Sequence, residues 1–288
     1  SGSGISTIQQ MFTSRALAIV SRAWELIHAQ EALRYCKGEA AFLLSAVLTL
    51  LSRRERYRDG TGKGAQSGTL YVPSLQIEKN AFDVMERKQK AFVALGLNTV
   101  AKDAMVTCQS HDGVSNIPNN SVDYIFTDPP FGESLQYAEL NFFHEAWLRL
   151  HTQLKEDCVL NYVHGKDLLF YQSHMTGAFK EAYRILKPGR WITVEFHNSQ
   201  NSVWMAIQEA LWKADFTVAD VRVLDKKQGT FNVVNRAGAV KQDLVISAYK
   251  PNGGLEERFR LEAGTENGVW DFVRTHLKQL PRFVSKDG

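Results

Sequence analysis

Apolar residues along the first part of the chain recur at helical spacing. Ile8, Phe12, Ile19, Ala23 and Ile27 mark one face and predict a long helix from about Ile5 to Tyr35. After Lys37-Gly38 a second helix is expected to run to about Ser52, apolar on most sides and therefore buried. Beyond a glycine-rich stretch the pattern changes. Thr69 to Val72 reads as a short strand and Asn80 to Leu95 as a helix. From there compact apolar runs alternate with amphipathic ones. Strands are expected at Met105–Gln109, Val122–Thr127, Trp191–Phe196, Thr217–Leu224 and Leu244–Tyr249. Helices are expected at Leu140–Leu150, Ser173–Leu186 and Val203–Ala214, with Lys187-Pro188-Gly189 stopping the second of these. Such alternation predicts an α/β layered sheet, mostly parallel. The last two strands have no helix between them, so they are expected to pair antiparallel at one edge. One more helix, about Gly268 to Leu280, follows Pro251.

Composition narrows the class only slightly. The chain has 288 residues, 44% hydrophobic and 23% charged, which is ordinary for a globular protein. A net charge of +3 permits nucleic-acid binding without requiring it, because a local basic patch matters more than the total. Cys36, Cys108 and Cys158 are far apart, with no C-x-x-C pair, so neither a zinc site nor a disulfide framework is expected; this usage fits a reducing, cytoplasmic setting. The longest apolar stretch, Ala40 to Leu51, is about twelve residues long, too short for a membrane span. Ser1-Gly2-Ser3-Gly4 reads either as a linker or as the end of a glycine-rich cofactor loop.

One segment has basic chemistry. Arg53-Arg54-Glu55-Arg56-Tyr57-Arg58 precedes a loop running from Gly60 to Gly68. Arg53, Arg54 and Arg56 are candidate phosphate contacts; the competing reading is a solvated surface loop. The loop is not a phosphate-binding P-loop, because Lys63 is followed by Gly64 rather than Ser or Thr.

The most informative segment joins a strand to a stiff turn: Val122-Asp123-Tyr124-Ile125-Phe126-Thr127, then Asp128-Pro129-Pro130-Phe131. In open α/β sheets ligands bind at the carboxyl ends of strands. The prolines rigidify the backbone and remove donors, so Asp128 and the Pro129 carbonyl can present acceptors. Phe131 adds a flat apolar face. Two acceptors and a stacking ring suit an exocyclic amine on an aromatic base, whose lone pair must be turned toward an electrophile. Without further context the same string is a proline-rich turn.

The context is Tyr137-Ala138-Glu139-Leu140-Asn141-Phe142-Phe143-His144-Glu145-Ala146-Trp147-Leu148. With it, the chain resembles bacterial DNA adenine-specific amino-methyltransferases, in which D-P-P-Y/F precedes Y-x-E-L-x-x-F-x-x-x-W-L. Phe12-Thr13-Ser14-Arg15, the stretch from Ser67 to Ser74, the stretch from Tyr183 to Gly189, and the strand from Asp243 to Tyr249 are also similar, so the resemblance covers roughly Phe12 to Pro251. It implies a Rossmann-like class I methyltransferase sheet, with S-adenosyl-L-methionine lying across the strand ends and no metal. It assigns Asp128, Pro129, Pro130 and Phe131 to catalysis. Ser110, Asp112 and Asp128 are candidate cofactor contacts. Tyr137 and Glu139 either shape the target pocket or pack the helix start, while His144 is expected to pack or to face solvent rather than to catalyse. A duplex DNA substrate would present its base flipped out.

The family's glycine-rich cofactor loop and the acidic end of its second strand are not recognisable here. Of seven expected strands, five are legible, which implies a sheet lacking its first two, completed by a missing N-terminal segment or a partner chain. A predominantly apolar surface, exposed or covered by a partner, is then expected beside the strand ending at Thr127. The implied organisation is residues 1–4 as linker, 5–68 as a helical region with the basic loop, 69–251 as a partial catalytic core and 252–288 as a helical extension. The implied function is methylation of adenine N6 in DNA within a restriction-modification or phage-defence system, with cytosine N4 as a close variant. RNA base methylation and a non-catalytic nucleic-acid-binding fragment are the alternatives.

Overall fold

A computed structural model describes residues 5–94, 103–110, 113–198, 200–225, 242–253 and Trp270. The helix expected at 268–280 and the residues Ser1 to Gly4 thus lie outside the described residues, apart from Trp270. The chain divides into two compact units, one of residues 1–106 with 136–157 and the other of residues 107–135 with 158–288.

The first unit is helical: α1 (Ser14–Ala29), α2 (Lys37–Leu51), α3 (Ala81–Ala94) and α4 (Tyr137–Leu148), with a small antiparallel pair, β1 (Tyr57–Arg58) and β2 (Thr61–Gly62). The single long N-terminal helix expected from periodicity is interrupted. A 3-10 turn, Ile8–Met11, ends at Phe12, which is extended and forms an isolated antiparallel bridge with Ser52. Thr13 then caps α1, its hydroxyl accepting from the Ala16 N–H and donating to Glu78. Apolar spacing continues across the break, so periodicity alone cannot reveal it. Phe12 instead reaches the core, where its ring stacks on Phe143 at 5.7 Å and meets Trp147 edge-on. Val20, Val47, Leu48 and Phe143 form the centre of this core, each no more than 1% exposed.

In the second unit a four-stranded sheet has the order β3-β4-β6-β5, from β3 (Val122–Thr127), β4 (Leu186–Phe196), β5 (Thr217–Asp225) and β6 (Gln242–Tyr249). β3 and β4 run parallel; β6 is antiparallel to both β4 and β5, as expected for the last two strands. Helices α5 (Leu168–Ile185) and α6 (Asn201–Lys213) pack on one face. Met175, Phe179, Ile207 and Leu211 meet Ile192, Val194, Phe196, Ile246 and Ala248 in a single core. Asp167 caps α5, its carboxylate accepting from the Phe170 N–H at 2.8 Å.

The Lys187-Pro188-Gly189 turn does more than stop α5. It sits inside β4 as a bulge: Val122 pairs with Leu186 and Tyr124 with Trp191, so four residues of β4 face Asp123 alone. Gly189, at φ +76°, allows the excursion. Lys187 and Arg190 close on Asp123 at 2.8 and 3.3 Å. Buried Lys250 ties the bulge to the helix end, donating to Asn120 Oδ1 and to the carbonyls of Tyr183 and Leu186.

Two expected strands are not formed. Residues 104–110 and 69–72 carry no ladder, and Met105 and Val106 are 75% and 97% exposed. A run of β-prone residues makes a strand only when a neighbour supplies hydrogen bonds and a face to bury. Among the described residues none pairs with 105–109, and β3 is the edge of the four-stranded sheet. On β3, Tyr124 and Phe126 are 54% and 58% exposed.

His144 on α4 is half-buried, its ring edge-on to Phe143 at 5.1 Å. Burial and the neighbouring Arg54 charge both lower its pKa from 6.5. In the window between that lowered value and the unfolded value the unfolded chain binds more proton, so stability is complete above the window and declines as pH falls through it. Urea midpoints measured at about pH 7.5 and about pH 5.5 should therefore drop, and His144→Gln should reduce the drop. An identical drop in the variant would assign the acid sensitivity to other groups.

Candidate active-site loop

β3 and β4 are parallel, so Thr127 and Phe196 lie at the same end of the sheet, and antiparallel β6 begins there, with Leu244 opposite Phe196. Three groups of polar residues meet at this end: Asp128-Pro129-Pro130-Phe131 after β3, His197-Asn198 after β4, and Asp243 in β6. This is the strand end where α/β sheets hold ligands.

The loop is fastened through its carbonyl groups. The Tyr171 hydroxyl donates to the Pro130 carbonyl at 2.5 Å, the Asn198 amide to the Phe131 carbonyl at 2.8 Å, and the Leu160 N–H to the Gly132 carbonyl at 3.2 Å. Tyr171 and Leu160 are themselves buried in the core. Gly132 adopts φ +67°, and a Cβ there would lie 3.0 to 3.2 Å from Asn198, Val203 and Leu160. This glycine is therefore a packing residue, closed to any ligand approach.

The expected site residues are presented unequally. Asp128 is exposed while Pro129 is buried, so the carboxylate projects from a fixed base. Phe131 is half-buried. Its ring meets Phe196 edge-on at 5.8 Å and His197 at 6.0 Å, which sets its plane. His197 Nδ1 lies 2.6 Å from Oδ1 of Asp243, a side chain only 4% exposed. His197, Asn198, Asp243 and Tyr171 did not stand out in the sequence. The signal was available for two of them: His197 and Asn198 are polar residues ending a buried strand. Tyr171 and Asp243 carry no such mark.

Ser110 is exposed in a segment without regular secondary structure, and Asp112 lies outside the described residues. Tyr137 and Glu139 open α4 in the first unit, half-buried and exposed respectively. The basic run belongs to that unit too, and is partly turned inward. Arg54 is buried, donates to the Thr69 carbonyl at 2.6 Å and lies 4.9 Å from the Phe143 ring centre. Its expected phosphate role is corrected to a packing one, because a guanidinium held by the Thr69 carbonyl beside the Phe143 ring has left the surface. Arg56 is half-buried and donates to the carbonyls of Gly64 and Lys63; Arg53 remains exposed. The glycine loop is likewise anchored. Fully buried Glu55 accepts from the Gly64 N–H at 2.9 Å and pairs with Lys79 at 2.7 Å.

No protein-family model and no curated protein matches the sequence. Solved structures do. A candidate DNA modification methylase of Thermus thermophilus, as its selenomethionine derivative, is 15% identical over 55% of this chain and 59% of that one, with a TM-score of 0.32. The same protein complexed with S-adenosyl-L-methionine is 16% identical over 55% of this chain and 61% of that one, with a TM-score of 0.32. The 4+2 cyclase SpnF is 13% identical over 62% of this chain and 65% of that one, with a TM-score of 0.31. The chain thus spans about six tenths of the length of these structures.

Gly132→Ala combines a positive φ with close contacts and should cost at least about 2 kcal/mol. Tyr171→Phe removes the donor to the half-buried Pro130 carbonyl, and should cost about 1 kcal/mol. Chemical denaturation checks both; a Gly132→Ala protein as stable as the parent would mean that the loop is not held as described.

Proposed function

We propose that the chain methylates an exocyclic amine of a DNA base, adenine N6 first, with S-adenosyl-L-methionine as donor, as part of a restriction-modification or phage-defence system. The observation that carries this reading is the Asp128-Pro129-Pro130-Phe131 loop at a strand end, immobilised from behind by Tyr171, Asn198 and Leu160. It is supported by the resemblance of this loop and the following helix to adenine-specific amino-methyltransferases. A half-buried ring beside an exposed carboxylate is a fitting cradle for a planar amine.

The donor supplies an electrophilic methyl group. Among the described residues, the exposed Asp128 carboxylate suits its ammonium group or the target amine, and Ser110 is a second polar candidate. The Gly60–Gly68 loop does not suit it. That loop follows a two-residue strand and is tied to Glu55, where a donor-binding glycine turn would follow a core strand. The chain's own part in the reaction is positional. Asp128 and the Pro129 carbonyl accept the two amine hydrogens, which turns the nitrogen lone pair out of the ring plane. Phe131 stacks on the ring and fixes its distance. With the Pro130 carbonyl occupied by Tyr171, the Pro129 carbonyl is the proline acceptor left to the substrate. Such preorganisation acts mainly on turnover.

Asp128→Ala should lower methyl transfer at least about tenfold while leaving nucleic-acid affinity nearly unchanged. Incorporation of labelled methyl groups into duplex DNA, single-stranded DNA and RNA measures this and ranks the substrates. Activity within tenfold of the parent would remove Asp128 from the site, and RNA as the sole acceptor would replace the DNA reading. Arg53 and Arg56, with Arg58, are left as candidate phosphate contacts. Neutralising Arg53 and Arg56 together should flatten the slope of log affinity against log salt by up to about two units. Arg54→Ala should act on stability instead.

A further inference from the structure

Between Leu160 and α5 the chain forms a short hairpin with an apolar tip in solvent. Tyr162 is 66% exposed and Val163 92%, adjacent in a 3-10 turn, Tyr162–His164. The hairpin is braced. Asn161 and Lys166 exchange two backbone hydrogen bonds, at 2.9 and 3.0 Å, which close it at the base. The Asn161 side chain accepts from the His164 N–H at 3.2 Å, and the Gly165 N–H donates to the Tyr162 carbonyl at 3.2 Å. Lys166 is buried, its ammonium 5.6 Å from the Phe170 ring centre. Two apolar side chains held out of the core in this way contribute nothing to burial, which is what stabilises such residues in a fold.

Both roots of the hairpin are fastened to the candidate loop. On the N-terminal side the Leu160 N–H donates to the Gly132 carbonyl. On the C-terminal side Asp167 caps α5, and Tyr171 in the first turn of that helix donates to the Pro130 carbonyl. Tip and loop therefore belong to one braced assembly within the second unit. Val163 is three residues from Leu160, so the chain can carry the tip at most about 10 Å from that root. This reach is comparable with the depth of a duplex groove, about 8 Å.

We propose that the Tyr162-Val163 tip is a wedge that enters the base stack of duplex DNA and fills the place left by the target base. The proposal deepens the methylation reading and rests on it. A target amine can reach Asp128 and Phe131 only after its base has left the duplex. The vacated place is walled by the faces of the neighbouring base pairs. An uncharged, apolar side chain with an aromatic ring beside it suits such a slot, and side chains that unstack base steps are apolar. A wedge must also resist being pushed aside, which the paired backbone of Asn161 and Lys166 provides. The hairpin from Leu160 to Lys166 contains no acidic residue, so the phosphates meet no like charge at the tip.

The test replaces the tip by Tyr162→Ala with Val163→Ala. Both positions are exposed, so the urea midpoint should stay at the parent value. Labelled methyl incorporation is followed on sheared genomic duplex DNA and on the same DNA after heat denaturation. The double variant should lose about tenfold or more on the duplex and less than about twofold on the denatured strands, which need no unstacking. Tyr162→Phe with Val163→Ile should keep the parent's ratio of the two rates. A duplex rate equal to the parent's would overturn the proposal, and so would equal losses on both substrates. A second measurement needs no methyl transfer: fluorescence anisotropy with a matched duplex and with the same duplex carrying one abasic site. The parent should bind the abasic duplex at least about threefold tighter, because a gap is already open, and the double variant should lose this preference. Equal affinity of the parent for the two duplexes, or affinity for neither, overturns the wedge. If the parent methylates duplex DNA alone, the duplex loss and the abasic preference decide together. A parent that prefers the abasic duplex yet methylates neither form of DNA removes the methylation reading and leaves the wedge in place.

Discussion

The loop after β3 depends on a hydrogen bond that it cannot make for itself. Two consecutive prolines remove two N–H donors from the turn, so its carbonyl groups must find partners elsewhere. Tyr171 supplies one from a fully buried position on α5, and Asn198 supplies another from the end of the neighbouring strand. The stiffness of the loop is therefore borrowed from the core. α5 lies where it does because Met175 and Phe179 are buried against the sheet, and the Tyr171 hydroxyl follows from that packing. A displacement of α5 would move the Pro130 carbonyl, and with it the base from which Asp128 projects.

A similar dependence governs the helical unit. Its glycine-rich loop has the composition of a mobile segment, but two buried charges hold it. Glu55 takes the Gly64 N–H and Lys79, and Arg54 takes the Thr69 carbonyl while lying against Phe143. Removing one partner of such a set leaves a charge without compensation in a low-dielectric interior. The basic run is thus divided by burial. Arg54 turns inward, whereas Arg53 and Arg58 stay at the surface. Charge counted along the sequence overstates the charge that a phosphate can meet.

At the shared end of β3, β4 and β6 the sheet brings together residues distant in sequence. Asp128, His197 and Asp243 arrive there because β4 is parallel to β3 and β6 is antiparallel to β4. The His197–Asp243 pair stands beside the Phe131 ring and limits how that ring can turn. Phe131 is thereby set by Phe196 on one side and by a polar pair on another.

Local pattern determined much of this protein. Val122–Thr127 was legible to the residue, since a compact β-prone run ending in Asp-Pro-Pro allows little else. Helices α3 and α6 were legible within two residues at each end from periodicity, α5 at its end but five residues late at its start, and the antiparallel pairing of β5 and β6 from the lack of a helix between them. The candidate loop was also legible, because Asp128-Pro129-Pro130-Phe131 is contiguous and its chemistry depends on residue type. What the sequence could not decide were the outcomes set by distant neighbours. The stretch from Met105 to Gln109 has strand composition but gains no ladder, since a strand is a property of a pair. The break at Phe12 depends on Ser52, and the inward turn of Arg54 depends on Phe143 and Thr69. Tyr171 and Asp243 join the site only through helix packing and strand order. Composition and period act within a few residues, whereas burial and hydrogen-bond partnership are settled only when segments far apart in the chain come into contact.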